Sequence, residues 1–180
     1  MNTHIIIRDA RPNDIPAIQQ IYAWHVLHGI ATFEEIPPTV QEMQSRLANI
    51  TIQGLPYLIA ETDGKIGGYC YAAPYRPRSA YRYTLENSIY LDHEQTGQGL
   101  GKKLLYALIE RCEQGPWRQM IAVIADTSNL PSIHLHRSLG FDHVGMQPAT
   151  GFKFNRWIDV VFMQRALGAG GNTLPTDFPD

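Results

Sequence analysis

The sequence predicts an α/β fold in which a mixed β-sheet is covered by helices. Short runs rich in β-branched and aromatic residues alternate with longer segments whose apolar residues recur every three or four positions. Asp63-Gly64, placed between two apolar runs, is a strong hairpin signal. A β-rich run at residues 88–91 leads through a glycine-rich turn at residues 96–101 into a helical pattern. Alternation of this kind is typical of helices packed on a sheet.

The first half of the chain predicts one strand, two helices and a hairpin. Residues 4–9 are rich in isoleucine and predict a buried strand. Asn13 or Asp14 can cap the helix that follows. The inner face of that helix carries Ile15, Ile18, Tyr22 and His25. After a loop at residues 29–38, Thr39 caps a second helix. Its apolar positions are Val40, Met43, Leu47 and Ile50. The hairpin strands are residues 57–62 and 66–73.

The second half predicts four strands, two helices and a tail. After a turn at residues 75–80, the strand that leads into the glycine turn covers residues 82–91. Helical spacing then runs from 101 to 114, and a short helix follows Asn129. The remaining strands are predicted at residues 119–125, 143–146 and 157–165. The predicted order is therefore β-α-α-β-β-β-α-β-α-β-β.

Bulk composition indicates one globular domain. The 180 residues are 44% hydrophobic and 18% charged, and we expect residues 1–167 to form the domain and the Gly- and Pro-rich residues 168–180 a flexible tail. A net charge of −2 without a basic cluster argues against a nucleic-acid partner. Short apolar runs and no signal-peptide pattern predict a cytoplasmic protein without membrane contact. Cys70 and Cys112 are expected to be reduced, and no Cys/His spacing predicts a metal.

The glycine turn predicts an anion-binding site. Glycines let a backbone approach a ligand closely, and the first N–H groups of the following helix are free to bind it. Lys102 and Lys103 add positive charge to that of the helix dipole. A P-loop is excluded because Thr96 stands where its first glycine belongs and Lys103 where it needs Ser or Thr. A Rossmann turn would lie near the start of such a chain. A glycine turn without a ligand remains the alternative.

Residues 96–101, Thr-Gly-Gln-Gly-Leu-Gly, resemble the acetyl-CoA pyrophosphate loop of the GNAT N-acetyltransferases, with Thr96 in place of the usual Gln or Arg. Residues 129–141, from Asn129 to Gly-Phe, resemble a second GNAT segment, and residues 7–10 resemble the usual opening. Residues 84–90, 135–137 and 157–164 are similar to the phosphinothricin and methionine sulfoximine acetyltransferase branch. The resemblance covers residues 5–167.

This resemblance implies a mostly antiparallel sheet of six to seven strands flanked by about four helices. It implies acetyl-CoA as acetyl donor, no metal, and a small-molecule amine as acceptor. It also implies a homodimer, in which Lys153 and Trp157 lie near the partner's site. The implied cofactor-binding residues are Ile89, Tyr90, Leu91, Gly97, Gln98, Gly99, Leu100, Gly101, Lys102, Asn129 and Ser138.

Two residues are candidates for proton transfer. Glu86 comes three residues before Ile89, the first of the implied cofactor-binding residues. The resemblance makes Glu86 the base that deprotonates the amine. A free glutamate has a pKa of about 4.3, so this role needs burial or a bridging water. His136 stands where many GNAT enzymes have a tyrosine acid, and a histidine can donate a proton near neutral pH. The alternatives are a solvent-facing carboxylate at Glu86 and an ordinary helical histidine at 136.

The implied acceptor pocket contains Phe33, Glu34, Arg76, Pro77, Arg78, Asn87 and Ser88. Arginine suits a carboxylate or phosphinate, although a solvated basic turn would have the same composition. The preferred function is acetylation of a methionine sulfoximine, methionine sulfone or phosphinothricin type of amine. Two alternatives stay open: acetylation of another amine, such as a protein N-terminus or an antibiotic, and a non-catalytic CoA-binding sensor.

Overall fold

A seven-stranded sheet and four α-helices make up the computed structural model, which describes residues 4–175. The strands are β1 (Ile5–Asp9), β2 (Tyr57–Thr62), β3 (Lys65–Pro74), β4 (Thr84–Leu91), β5 (Gln119–Ala125), β6 (Asp142–Lys153) and β7 (Arg156–Ala166). The helices are α1 (Ile15–His28), α2 (Val40–Thr51), α3 (Leu100–Glu113) and α4 (Leu130–Ser138). The spatial order is β1-β2-β3-β4-β5-β7-β6, in which β4 and β5 are parallel and the other pairs antiparallel. The predicted mixed, mostly antiparallel sheet is confirmed.

Local signals produce several of these elements as expected. The Thr39 hydroxyl accepts the Glu42 N–H at 3.1 Å and caps α2. Asp63 and Gly64 have φ of 49° and 79°, the left-handed pair that a two-residue hairpin turn needs. The Asn129 carboxamide oxygen accepts the Ser132 N–H at 3.3 Å and caps α4. These three boundaries therefore follow from residues adjacent in sequence.

The N-terminus of α1 differs from expectation. The Asp14 side chain makes no capping bond to α1. Its carboxylate instead accepts two bonds from the Arg8 guanidinium, at 2.7 and 2.9 Å, and one from the Arg11 N–H at 2.7 Å. Arg8 also binds Glu61 on β2. Asp14 thus ties the helix to strand β1 rather than capping it.

Strand β6 is twelve residues long, where the sequence predicted only residues 143–146. Its pairing with β7 shifts register between Gln147 and Gly151, so the alternation of side chains is interrupted there. The turn that closes this hairpin has Phe154 and Asn155 at φ of 52° and 56°. Pairing with β7 therefore stabilises β6 along a length that its side-chain alternation does not predict.

Part of the predicted tail is described. Gly170–Asn172 form a 3₁₀ turn, and Arg118 donates to the carbonyls of Gly170 and Leu174, each at 3.2 Å. The single-domain boundary at residue 167 and the flexibility of the tail both stay predictions, and residues 1–3 and 176–180 lie outside the described residues.

The divergence of β4 from β5 positions the site. Their parallel pairing covers residues 84–87 and ends at Asn87, opposite Ala122. The Thr84 carbonyl and the Asp92 N–H both bind residues on the β3 side. Because alternate residues of a strand direct their backbone groups to the same side, Ile89 and Leu91 direct theirs towards the widening gap beside β5.

Candidate active site

Two adjoining cavities lie where β4 and β5 diverge. The first, of about 250 Å³, is lined by residues from β4, β5, α4 and the loop after α1. The second, of about 400 Å³, extends from the end of β4 over the glycine turn to the start of α3. Both cavities are lined by Ile89, Tyr90, Asn129 and Ser132. A ligand on the glycine turn can therefore extend into the first cavity.

The glycine turn has the geometry of an anion site. Gly97 and Gly99 have φ of 79° and 78°, and a Cβ placed on either would meet no protein atom within 4 Å. Gly99 is the N-cap of α3 and offers no side chain to bind the first N–H groups of the helix. These N–H groups point to the same space, and the helix dipole makes that space positive. A phosphate group fits this arrangement.

Most of the predicted cofactor residues line the second cavity. They are Ile89, Tyr90, Leu91, Gly97, Gly99, Leu100, Gly101, Lys102 and Asn129. Gln98 and Ser138 are exposed and do not line it. The Ser138 hydroxyl donates to the Leu135 carbonyl at 2.8 Å, in the last turn of α4.

Glu86 lines the first cavity from the middle of β4. It is half-buried between Ala73 of β3 and Ile121 of β5 in the sheet register. Burial raises the pKa of its carboxyl above the ordinary value, and the charge of Arg76 partly opposes that rise. A carboxylate with a raised pKa is a better proton acceptor than a solvated one.

His136 lines the same cavity from α4 and is only 2% exposed. Its Nδ1 lies 2.8 Å from the Ser132 carbonyl, and its Nε2 lies 3.0 Å from the Asn87 carboxamide oxygen. The Asn87 amide group donates to the Ile121 carbonyl at 3.3 Å, which turns its oxygen towards the ring. Burial lowers the pKa of His136. Two hydrogen-bond acceptors thus face the imidazole ring, and the burial of the ring disfavours its protonated, charged form.

The predicted acceptor residues divide into two groups. Phe33, Asn87 and Ser88 line the cavity with Glu86, whereas Glu34, Arg76, Pro77 and Arg78 do not. Arg76, Pro77 and Arg78 are exposed, and the Arg76 guanidinium lies 5.0 Å from the centre of the Tyr75 ring.

Glu34 binds other side chains of the protein and does not line the cavity. Its carboxylate accepts bonds from Arg46 at 2.6 and 3.0 Å and from the Tyr22 hydroxyl. The Arg46 guanidinium holds the pKa of Glu34 below its usual range. Glu34 therefore anchors the loop that carries Phe33.

Some lining residues were not predicted. The loop residues Ile30, Ala31 and Thr32 face the cavity, as do residues of β5. His25 lines the cofactor cavity, and its Nε2 donates to the Leu91 carbonyl at 2.7 Å. A histidine on the apolar face of α1 was the available sequence signal for this contact.

The match to known proteins decides the family. The model of the acetyltransferase (GNAT) domain matches residues 7–162. The chain belongs to the GNAT acetyltransferase family. It is 55% identical over 169 residues to the phosphinothricin N-acetyltransferase of Alcaligenes faecalis, covering 94% of this chain and 86% of that one. It is 40% identical over 162 residues to the L-methionine sulfoximine/L-methionine sulfone acetyltransferase of Pseudomonas aeruginosa, covering 89% and 94%.

A solved structure agrees with this assignment. The phosphinothricin acetyltransferase of Sinorhizobium meliloti, in complex with AcCoA, superposes with a TM-score of 0.93 at 48% identity. The match covers 96% of this chain and 94% of that one. The predicted family and branch are confirmed. Among residues 4–175, no cluster of His, Cys, Asp or Glu has the make-up of a metal site, and no helix has the length and apolar character to cross a membrane.

Proposed function

We propose that the protein transfers an acetyl group from acetyl-CoA to the primary amine of a small amino-acid-like acceptor of the methionine sulfoximine, methionine sulfone or phosphinothricin type. The observation that carries this proposal is the junction of the two cavities. One contains a half-buried carboxylate, and the other ends on the glycine turn and the N-terminus of α3. The names of the two relatives support the acceptor class.

The cofactor cavity fits acetyl-CoA. Open space over Gly97 and Gly99 and the free N–H groups of α3 suit the pyrophosphate. The outward backbone groups of Ile89 suit pairing with the amides of the pantetheine arm. Acetyl-CoA supplies the thioester carbonyl that the amine attacks, and CoA leaves as the thiol.

Glu86 is the proposed general base. It takes the proton from the acceptor's ammonium group, directly or through a water, and leaves the free amine able to attack. Its burial supports this role because the raised pKa brings its basicity closer to that of an amine. Glu86 lines the cavity that adjoins the cofactor site, which supports attack of the amine on acetyl-CoA itself, without an acetyl-enzyme intermediate.

His136 is the proposed acid for the leaving thiolate. The carbonyl of Ser132 and the carboxamide oxygen of Asn87 can accept hydrogen bonds from the two ring nitrogens. Burial lowers the pKa of His136, so the protonated ring is a stronger acid than a free imidazolium, although less of it is present at neutral pH. Asn87 contributes by keeping the ring oriented.

The acceptor is proposed to lie between Phe33 and Ser88, with its carboxylate towards the mouth of the cavity. Arg76 and Arg78 are exposed residues outside the cavity lining, and the charge of Arg76 acts on the carboxyl of Glu86. Arginine is the side chain best suited to a carboxylate or phosphinate. Glu34 holds the loop that carries Phe33, and Pro77 restricts the backbone of Arg76.

Thiol release from acetyl-CoA across a panel of amines tests the function. The panel contains the three proposed acceptors, unrelated amino acids, an aminoglycoside and a peptide N-terminus. Turnover confined to the first group is the expected result. Preference for the peptide or the antibiotic would favour the broader amine acetyltransferase, and binding of acetyl-CoA without any turnover would favour a sensor.

We also propose a cytoplasmic homodimer. The β6–β7 hairpin exposes a band of large apolar side chains, of which Val144, Met146, Phe152, Phe154 and Trp157 are 46–65% exposed. A band of this kind is typical of a protein–protein interface. Two free buried cysteines suit a reducing compartment. Light scattering coupled to size-exclusion chromatography gives the mass, and Trp157→Glu is expected to shift it to that of a monomer.

A further inference from the structure

Lys153 is a buried cation with backbone partners. It lies on β6 and is 2% exposed. Its ammonium group donates to the carbonyl of Gly29 at 2.8 Å and to that of Thr32 at 2.9 Å. Although the resemblance places this residue near a partner's site, the structure directs it into the loop after α1 of its own chain.

Burying an ammonium group is costly unless hydrogen-bond acceptors or opposite charges replace its lost hydration, and the two carbonyls supply such acceptors to Lys153. Burial lowers the pKa of Lys153, and the charges of Glu35 and Glu34 oppose that shift without a direct ion pair. Its two carbonyl partners, Gly29 and Thr32, lie in the same loop. Both are more than 120 positions away from Lys153 in sequence. Lys153 therefore fixes a loop that has no regular secondary structure of its own.

Strand β6 also contacts Phe33, the loop residue that follows Thr32. A Cβ on Gly151 would lie 2.3 Å from the tip of the Phe33 ring, so the ring packs directly on the glycine backbone. Gly151 and Lys153 face the loop, whereas Phe152 between them is exposed. Strand β6 thus contacts the loop at two places, through one backbone and one ammonium group.

This loop is a wall of the cavity that contains Glu86. Ile30, Ala31, Thr32 and Phe33 all line it. We propose that Lys153 is a positioning residue for the acceptor: its ammonium group sets the path of residues 29–32 and so the place of Phe33 opposite Glu86. This inference deepens the proposed function, because the acceptor it concerns is the one proposed above.

Two variants and one control test it. Lys153→Met removes the ammonium group and keeps the length of the side chain, and Lys153→Gln keeps a neutral donor. Lys65→Met is the matched control, because Lys65 is an exposed lysine that pairs with Asp92 and Glu94. Hydrogen exchange read by mass spectrometry compares the loop at residues 29–34 with the glycine turn at 97–103.

We expect faster exchange at residues 29–34 in Lys153→Met, an intermediate rate in Lys153→Gln, and no change at 97–103. The KM for the acceptor should rise about tenfold in Lys153→Met, since a charged hydrogen-bond donor is lost. Affinity for acetyl-CoA and the behaviour of Lys65→Met should match the wild type.

Unchanged loop exchange in both Lys153 variants would overturn the inference, as would exchange that rises equally at both segments. If Lys153→Met does not fold, Lys153→Gln decides by the same two comparisons. Hydrogen exchange needs no turnover, so this result stands even if the wild type acetylates none of the proposed amines. In that case the proposed function fails and the role of Lys153 in holding the loop is still decided.

Discussion

Replacing Glu86 with Gln should lower turnover far more than acetyl-CoA affinity. The substitution keeps the shape of a half-buried side chain in the middle of β4 and removes only its basicity. Each unit by which burial raises the pKa of Glu86 above its ordinary value makes proton transfer from an ammonium about 1.4 kcal/mol less unfavourable. A general base of this kind contributes about 10²–10⁴-fold, which is the loss we expect in kcat at neutral pH.

The pH dependence gives this prediction a sign. Only ionised Glu86 can act, so wild-type turnover rises as pH rises through the raised pKa of its carboxyl. Below that pKa the wild type loses its base and approaches the variant. Far above it the acceptor's amine is free in solution, so the base is no longer needed. The ratio of wild-type to variant turnover should therefore pass through a maximum.

The assay is continuous detection of CoA thiol across this pH range, with calorimetry for acetyl-CoA binding. Glu110→Gln is the matched control, because Glu110 is exposed on α3 and accepts a hydrogen bond from Tyr106 at 2.8 Å. It should leave both measurements unchanged. Wild-type turnover of Glu86→Gln at neutral pH would refute the reasoning and give Glu86 a structural role.

Three further substitutions test the cofactor turn, the acceptor contact and the fold. Gly99→Val places a β-branched residue at φ of 78°, a strain of about 1–3 kcal/mol that the fold should survive, while calorimetry should show strongly weakened acetyl-CoA binding; unchanged affinity would remove the turn from the cofactor site. Arg76→Ala should raise KM several-fold for an acceptor with a free carboxylate and spare its neutral amide analogue, and equal losses on both would contradict a carboxylate contact. Asp14→Asn should lower the free energy of unfolding by about 1.5–3 kcal/mol at neutral pH, measured in urea. Because Arg8 lowers the folded pKa of Asp14, this difference should be full above the ordinary pKa of 3.8 and vanish as pH falls through the lowered value; a difference independent of pH would disprove the linkage.

Turns and helix ends that are determined by a few neighbouring residues could be predicted from the sequence. The Asp63-Gly64 turn, the Thr39 cap and the turn at residues 96–101 each depend on a few neighbouring residues whose backbone preferences agree. Strand β6 could not be predicted at its full length. Its register shift and its closing turn at Phe154 interrupt the side-chain alternation, and pairing with β7 supplies the stability.

The candidate site likewise contains features that the sequence predicts and features that it does not. Glu86 and the glycine turn lie on one continuous segment, so a motif resemblance could place both. Asp14 was one of two predicted caps, and its actual partner, the guanidinium of Arg8 on β1, could not be recognised from the sequence pattern. The burial of Lys153 could not be predicted either, because its carbonyl partners belong to a loop far away in sequence. In both cases the outcome was decided by polar side chains that bind residues outside their own helix or strand.

The divergence of β4 from β5 has a thermodynamic consequence. Since β4 stops pairing with β5 at Asn87, a bound pantetheine arm would act as a substitute strand beside Ile89 and couple cofactor occupancy to the stability of the sheet. At a cofactor concentration one hundred times Kd, this linkage is worth about 2.7 kcal/mol. Cellular acetyl-CoA would then act as a folding ligand, and the abundance of the protein would follow the supply of the compound it consumes.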